Sequence, residues 1–394
     1  MKDMSKCRMQ TKNKTYSLWK SEDKGEKAMD YILMHEDAEA AYIKDGAVLV
    51  EVLDDRELPV GVCRKDMDIR FTDSRFKTWL SHRTIPNNRV FGDALKRAAG
   101  LDFSDLMLES MAISLTDTYW LKPEKENLIW KDINFHDVLF SNDVGRAVVS
   151  HCSFIPADKA HPTFTTDGML EKTWIIVDSL PYLLKFHESA KQTAGEVFAS
   201  RVARMLGVSH VPYNHVKIAG RHACICPCVI TDSHTDMVYA MQYKWEKGCG
   251  DRELYDVLAE KDKEGINSML AFDELTCQYD RHLYNFAFAD GSLLPLYDSG
   301  RCLVPSDDTM PFCRERSAQL KLIKDVPFKI PDAALLSDMY KEACGEFEIS
   351  PGEDALRAIK LGVRNLEERQ NELEKQRYRR RTGRNADKSD IVQL

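Results

Sequence analysis

The sequence has no long apolar run, no apolar leader and no large excess of charge of one sign. No window approaches the roughly 18 consecutive apolar residues that a spanning helix needs, so we expect no membrane span. The basic residues 1–20 have no apolar segment of the secretory kind, and we expect a poorly ordered lead rather than a signal. The net charge of −8 argues against a protein that coats nucleic acid generally. Without a secretory signal, the 11 cysteines indicate reduced thiols in a cytoplasm rather than a disulfide framework.

The order of local patterns predicts an α+β chain in three parts. Strand-like segments with Asp-Gly and Asp-Asp turns begin at Tyr31, and a short helix ends at Gly100. We expect a β-rich first part at residues 1–150, a small sheet with one helix at 151–245, and a helical part at 246–394. The 394 residues are enough for a large buried core, and no internal repeat is present.

The middle part contains a hairpin followed by a helix. "TWIIV" (173–177) and "YLLKF" (182–186) are apolar runs separated by an Asp-Ser turn. The helix that follows spans about 189–207 and stops at a glycine. Its first residue stays open, because Ser189 and Thr193 each begin a capping box.

Five side chains occur in the order that phosphoryl transfer to a hydroxyl requires. That reaction needs a lysine on the phosphates, Mg²⁺ held by oxygen ligands, and an aspartate beside the attacking hydroxyl. Lys185 lies on the second hairpin strand, and Glu196 on the next helix is placed to pair with it. Asp280 precedes Asn285 by five residues, and an Asp-Gly hairpin then returns the chain to Asp298. The spacing predicts a Mg²⁺ site between the last two side chains.

Four stretches resemble the HipA-like serine/threonine kinases, the kinase component of bacterial toxin–antitoxin systems. They are "TTDGMLEKTWII", "YLLKF", "DRHLYN" and "LYDSG". The front half, with "LPVGV" and "WLSHRTIPNNR", is similar to a Firmicutes-type branch. The resemblance covers residues 30–345. It implies a protein-kinase-like two-lobed fold, with a β-rich N-terminal subdomain and an all-helical C-terminal lobe.

The resemblance also implies a role for each matching residue. By this resemblance, the phosphate-side loop contains Gly168, Glu171, Lys172 and Thr173, and Lys185 is the ATP lysine. Asp280 is the catalytic aspartate, and His282 shapes the catalytic loop. Asn285 and Asp298 are the two Mg²⁺ ligands. In the family, a serine three residues before the loop glycine can be autophosphorylated, which ejects the loop. Thr165 takes that position here, with Thr166 beside it, so threonine for serine is a departure.

The implied partners are a protein substrate and an antitoxin. Family members act on translation factors such as aminoacyl-tRNA synthetases, and they bind a helix-turn-helix antitoxin. We therefore expect DNA contact only through that partner, and no membrane contact.

The same residues are compatible with two other functions. The D-R-H-x-x-N and D-x-G elements also resemble phosphoinositide-type lipid kinases, so the substrate hydroxyl could belong to a lipid or a small molecule. Alternatively, the chain is a pseudokinase-like regulator that binds nucleotide or an antitoxin without turnover.

Two further clusters have competing interpretations. The cysteines of "HACICPC" (222–228) suggest a zinc site. Their C-x-C-x-C spacing, however, is tighter than the C-x₂-C pair of typical zinc sites, which favours a strand with buried thiols. Five arginines occupy positions 376–384 at the end of a polar helix. They are either a solvated helix end or a contact for an acidic partner or nucleic acid.

Overall fold

The structure is a computed structural model that describes residues 29–382, apart from residues 66, 156–159, 187–188, 279, 304–310 and 314. The predicted basic lead and the last tail arginine, Arg384, lie outside the described residues. Within the described part, no helix is both long and apolar enough to cross a bilayer.

The first sheet is antiparallel, and three of its four strands lie in the segment after Tyr31 that was predicted to be strand-like. Its order is β3-β2-β1-β4, with strands β1 (Tyr31–His35), β2 (Ala38–Lys44), β3 (Val48–Val52) and β4 (Tyr119–Pro123). Five helices accompany it: α1 (Ile69–Ser81), α2 (Gly92–Ala99), α3 (Phe103–Glu109), α4 (Trp130–Ile133) and α5 (Asp143–Val149). The predicted stop of α2 at Gly100 is confirmed, with φ of 69°. Of the five helices, only α2 had a clear signal in the sequence.

The second sheet carries the predicted hairpin. Its order is β5-β6-β8-β7, with strands β5 (Glu171–Val177), β6 (Leu180–Phe186), β7 (Asn214–Ile218) and β8 (Arg221–Pro227). Helix α6 (Ala190–Leu206) follows β6 and packs against this sheet. The Ser189 side chain accepts a hydrogen bond from the backbone N–H of Lys191, so Ser189 is the N-cap of α6 and the open choice is settled.

The remainder of the chain is helical with one small sheet. Its helices are α7 (Ala240–Lys247), α8 (Asp251–Lys261), α9 (Lys263–Leu275), α10 (Arg316–Leu320), α11 (Ala333–Glu346) and α12 (Glu353–Thr382). Short strands β9 (Val238–Tyr239), β10 (Ala287–Ala289) and β11 (Ser292–Leu293) form a sheet in the order β11-β10-β9. The expectation of an all-helical last part is corrected by this sheet. It forms because Asp290 and Gly291, at φ of 50° and 80°, make the tight turn that closes the predicted hairpin.

The largest apolar cluster joins α6 to the helical part. It includes buried residues of α6, α8, α9, α11 and α12. Helix α6 therefore follows the second sheet in sequence but packs into the core of the helical part. Residues on its buried face lie between the second sheet and the helices. The fold is α+β and two-lobed, as the resemblance implied.

Candidate active site

Lys185 is the centre of a buried ion-pair network between the second sheet and the helical part. Its Nζ lies 2.9 Å from Oε2 of Glu196 and 2.8 Å from Oδ1 of Asp298. The lysine is 3% exposed and the glutamate is fully buried, whereas the aspartate side chain is 40% exposed. The sequence predicted that these three residues form part of one site, and the structure brings them together.

The two carboxylates of this network stabilise the positive charge of Lys185. Burial alone would lower the pKa of the Lys185 ammonium, but Asp298 and then Glu196 outweigh it, and the pKa lies well above its usual value. The ring of Tyr213 lies 5.3 Å from the same ammonium. Lys185 is therefore a permanent cation at neutral pH.

A second lysine faces the first across the hairpin. Lys172 on β5 pairs directly with Lys185 on β6, which places their side chains on the same face of the sheet. Burial, then Arg89 and Lys185, lower the pKa of Lys172 to about 8. Like charges directly opposite each other on a sheet are destabilising, so this face favours an anionic ligand.

The segment before β5, residues 165–170, is here named the phosphate loop. Gly168 has φ of 103°, a conformation that side chains rarely adopt, and a Cβ at that position would run into the Lys172 ammonium. Lys172 Nζ donates to the carbonyl of Asp167 at 2.9 Å. The phosphate loop is thus wrapped closely around a lysine that faces Lys185.

Two loop residues of the predicted set lie away from Lys185. Glu171 is buried and forms a two-bond pair with Arg221, at 2.6 and 2.9 Å. The Thr173 hydroxyl lies 2.9 Å from the hydroxyl of Thr163. Of the G-x-x-E-K-T residues, only Gly168 and Lys172 are therefore placed to act on a ligand, while Glu171 and Thr173 brace the hairpin.

Asp298 reaches the site because hydrogen bonds to three other segments or side chains hold the chain around it in place. The backbone of Leu296, two residues earlier, exchanges hydrogen bonds with residues 209 and 211 beyond α6, at 3.0 and 2.9 Å. The amide of Gln278 donates to the Asp298 carbonyl at 2.9 Å. The Asp298 backbone N–H donates to the Tyr213 hydroxyl at 3.3 Å. Asp298 has φ of 55°, and such backbone strain is typical of functional positions.

Residues 280–285 form the predicted catalytic loop. The Asn285 side-chain amide donates to the carbonyl of Asp280 at 2.7 Å, which ties the two ends of the loop together. His282 Nδ1 accepts from the backbone N–H of Tyr284 at 3.3 Å, and burial lowers the pKa of its imidazole. This geometry suits a residue that shapes the loop. The Asp280 carboxylate lies 3.6 Å from the exposed guanidinium of Arg301.

Arg281 connects the catalytic loop to the Asp298 segment. Its guanidinium is 1% exposed and bonds the Asp273 carboxylate of α9 at 3.0 Å. The same group donates to the carbonyls of Asn285, at 2.9 Å, and Tyr297, at 2.6 Å. A buried arginine thus fixes the residue that precedes Asp298 against the end of the catalytic loop. No role of Arg281 was predicted from the sequence, although its position between Asp280 and His282 was a visible signal.

The oxygen atoms suit Mg²⁺ held together with phosphates. Among the described residues, no group of three or more His, Cys, Asp or Glu side chains is placed to hold a metal ion. Mg²⁺ typically takes one or two protein ligands and completes its shell with phosphate and water oxygens. The Asp298 carboxylate and the side-chain amide oxygen of Asn285 are ligands of the kind that requirement names, and the facing lysines fit the phosphates.

Both candidate autophosphorylation residues are held inward. The Thr165 side chain is buried, and its hydroxyl donates to the carbonyl of Ile113 at 2.6 Å. The Thr166 hydroxyl donates to the carbonyl of Pro162 at 2.6 Å and accepts from Trp174 Nε1 at 2.8 Å. Transfer of a phosphate to either hydroxyl therefore requires the phosphate loop to move first.

Most of the C-x-C-x-C stretch lies in strand β8, as predicted, with Cys228 directly after the strand. Cys224, Cys226 and Cys228 are all buried. Burial raises the pKa of Cys226 and of Cys228 to about 12, so these thiols carry their protons at neutral pH. Protonated thiols packed in a core are structural residues.

No family model matches the chain, and a search of curated proteins finds no match. Solved structures of low similarity are found. The complex of the toxin–antitoxin proteins HipA and HipB with operator DNA, from Shewanella oneidensis MR-1, has a TM-score of 0.47 and 14% identity, over 87% of this chain and 97% of that one.

Two other solved structures match about half of the chain. The proinflammatory kinase CtkA of Helicobacter pylori has a TM-score of 0.34 and 14% identity, over 52% of this chain and 89% of that one. The N-terminal 618-residue fragment of LepB from Legionella pneumophila has a TM-score of 0.29 and 10% identity, over 50% of this chain and 46% of that one. At such scores the function has to be argued from the geometry of the site itself.

Proposed function

We propose that this chain is an ATP-dependent protein kinase that transfers the γ-phosphate to a serine or threonine hydroxyl. The observation that carries the proposal is the position of Lys185, bonded at once to Glu196 and to Asp298. A lysine oriented by a helix glutamate beside a metal-binding aspartate is the arrangement that kinases use. A purely structural ion pair would need neither the half-exposed Asp298 nor a second lysine opposite the first.

The residues divide the work as follows. Lys185 and Lys172 supply positive charge for the phosphates, and Glu196 holds Lys185 in place. Asp298 and Asn285 are the Mg²⁺ ligands. Asp280, at the start of the catalytic loop, orients the substrate hydroxyl and receives its proton. When bound, ATP supplies the phosphoryl group and Mg²⁺ neutralises the charge that develops on it.

The substrate and partners follow from the sequence resemblance. We propose a soluble protein substrate, such as an aminoacyl-tRNA synthetase or another translation factor, and a helix-turn-helix antitoxin as partner. Self-inactivation through Thr165 or Thr166, a cytoplasmic location and the boundaries of the three chain parts stay predictions.

The proposal is tested with purified protein, Mg²⁺ and γ-labelled ATP, alongside Asp280→Ala. The matched control is Asp290→Asn, which changes an exposed aspartate at the tip of the hairpin that delivers Asp298. We expect label on protein in the wild type and in the control, and none with Asp280→Ala. Phosphate mapped to Thr165 or Thr166 supports the self-inactivation step, and label elsewhere retains the kinase without it.

Two results would contradict the proposal. Equal labelling with Asp280→Ala would show that the catalytic loop is misassigned. ATP binding without transfer to any protein, combined with transfer to a lipid or a small-molecule hydroxyl, would assign the site to another class of kinase.

A further inference from the structure

The loop between α1 and α2 reaches across to the phosphate loop through Arg89. The Arg89 side chain is 5% exposed. Its Nε donates to the carbonyl of Gly168 at 2.9 Å, and the same guanidinium donates to the carbonyl of Thr166. Next to it, the backbone N–H of Val90 donates to the carbonyl of Met169 at 2.8 Å. One short segment therefore holds three of the six phosphate-loop residues by their backbones.

His82, at the end of α1, holds the loop residue that lies between those contacts. Its Nδ1 lies 2.5 Å from Oδ2 of Asp167. Its ring also packs on Tyr284 of the catalytic loop, with centroids 3.9 Å apart. The segment from 82 to 90 thus contacts both loops of the candidate active site.

The positive charge of Arg89 is destabilised by its surroundings. Burial lowers the pKa of its guanidinium to about 10, against the opposing effect of Asp167. Its NH1 is buried and has no hydrogen-bond partner among the described residues. Arg89 also contributes to lowering the pKa of Lys172. A buried arginine beside a half-buried lysine is an arrangement that an anionic ligand would stabilise.

We propose that Arg89 is a positioning residue, which holds the phosphate loop in the conformation that places Gly168 and Lys172 for nucleotide phosphates. The proposal rests on the function proposed above. The planar guanidinium can donate to two carbonyls two residues apart from one rigid group, which the single ammonium of a lysine cannot reproduce. Retaining the charge alone is therefore not expected to retain the function.

The test compares Arg89→Lys and Arg89→Gln with Arg83→Gln. Arg83 is an equally buried arginine of the same segment, but it donates to the carbonyls of Ala112 and Tyr119 and pairs with Asp117, away from the phosphate loop. The first readout is amide hydrogen exchange of residues 165–170 in the nucleotide-free protein. The second is the KM for ATP and the kcat, measured separately.

We expect exchange in 165–170 to rise in both Arg89 variants, and the KM for ATP to rise about 10- to 100-fold with a smaller change in kcat. Arg83→Gln is expected to lower the melting temperature without a selective increase at 165–170. Unchanged loop exchange in both Arg89 variants, full rescue by Arg89→Lys, or the same loop effect in Arg83→Gln would each overturn the proposal.

A failure of the kinase assignment is visible separately. If the wild type transfers no phosphate, the proposed function fails, while the exchange measurement still decides whether Arg89 positions the loop. If Arg89→Gln does not fold, Arg89→Lys carries the comparison.

Discussion

Lys172 and Lys185 face each other directly across β5 and β6, on the side of the sheet that Asp298 approaches. Of these two lysines, Lys185 alone has carboxylates of the described residues within 3 Å, at 2.9 and 2.8 Å, and they stabilise its charge. The other is left beside Arg89 and Lys185, and its pKa falls to about 8. Lys185 therefore keeps its charge at neutral and mildly alkaline pH, whereas Lys172 loses its proton as the pH rises through about 8.

This difference predicts a pH dependence of ATP affinity. Below pH 8 Lys172 is charged in the free protein, and above pH 8 it loses its proton, so affinity falls as the pH rises through 8. Bound nucleotide phosphates stabilise the charged form of Lys172 and offset the repulsion from Arg89 and Lys185. ATP binding above pH 8 is therefore accompanied by the uptake of a proton. Calorimetry of ATP binding in buffers of different ionisation enthalpy measures that uptake. With Lys172→Arg, which stays charged, the proton uptake should vanish; its persistence would assign the titration to another group.

The pair of Lys185 and Glu196 predicts a non-additive stability effect. Lys185→Met leaves a fully buried carboxylate without its cation, which typically costs about 3–5 kcal/mol. Adding Glu196→Gln removes the stranded charge and keeps an oxygen for the backbone N–H of Ser299, so the double variant should be more stable than Lys185→Met alone. Urea unfolding of the four proteins gives the coupling. If the two single substitutions changed the free energy of unfolding additively, Lys185 and Glu196 would not be coupled as an ion pair.

An exposed lysine provides the control for that cycle. Lys217 lies 3.1 Å from Glu348, and their side chains are 48% and 71% exposed. Lys217→Met should change stability by less than about 1 kcal/mol, because water screens such a pair.

Gly168 and Gly207 give a matched pair of glycine substitutions. Both have positive φ, 103° and 70°, but a Cβ at Gly207 meets no atom within 4 Å, whereas one at Gly168 meets the Lys172 ammonium. Gly207→Ala should lower stability by about 1 kcal/mol with no effect on nucleotide binding. Gly168→Ala should add a clear increase in the KM for ATP, because Lys172 has to move. Steady-state kinetics on both variants measures this, and similar KM values would remove Gly168 from the site.

Arg281 should matter for catalysis beyond its charge. Arg281→Lys keeps a cation near Asp273 but cannot also reach the carbonyls of Asn285 and Tyr297, so the two proposed Mg²⁺ ligands, Asn285 and Asp298, should lose their alignment. We expect kcat to fall about 100-fold. The control is Arg316→Lys, which changes the partner of Glu274 outside the site. Equal activity losses in the two variants would show a general effect of packing.

His161 predicts a loss of stability in acid. Its buried imidazole donates through Nε2 to the carbonyl of Ser141 and accepts from the N–H of Thr163, and burial lowers its pKa to about 3. The unfolded chain takes up this proton near pH 6.5 and the folded chain does not, so stability falls as the pH drops below 6.5. The slope from this group is about 1.4 kcal/mol per pH unit. Urea unfolding between pH 7 and pH 4.5 should show a shallower slope with His161→Gln; an unchanged slope would contradict the assignment.

The local parts of this fold were readable from the sequence because they depend on short-range chemistry. The β5–β6 hairpin follows from two apolar runs around a turn, and the end of α6 from Gly207, whereas its start stayed open between Ser189 and Thr193 until the structure showed the Ser189 cap. The residues of the candidate site were predicted from their order and from the resemblance, and the contact of Lys185 with Glu196 agrees with the predicted pairing. Their roles in catalysis stay predictions until activity is measured.

What the sequence did not reveal depends on contacts between distant segments. Arg89 meets the phosphate loop across 77 to 79 residues, and neither segment carries a periodicity that points to the other. The bracing role of Glu171 depends on Arg221, 50 residues away on another strand. Such contacts are set by tertiary packing, which local patterns do not encode.

The carboxylate of Glu196 has a consequence for how the protein becomes active during its synthesis. One oxygen binds Lys185, 11 residues earlier, and the other accepts the backbone N–H of Ser299, 103 residues later. A ribosome adds roughly 5–20 residues per second, so the lysine and the glutamate are made several seconds before their third partner. For that interval the growing chain contains the phosphate loop, β5 and β6 but no Asp298. We therefore expect a nascent chain that ends before residue 298 to be catalytically silent, whatever nucleotide it meets.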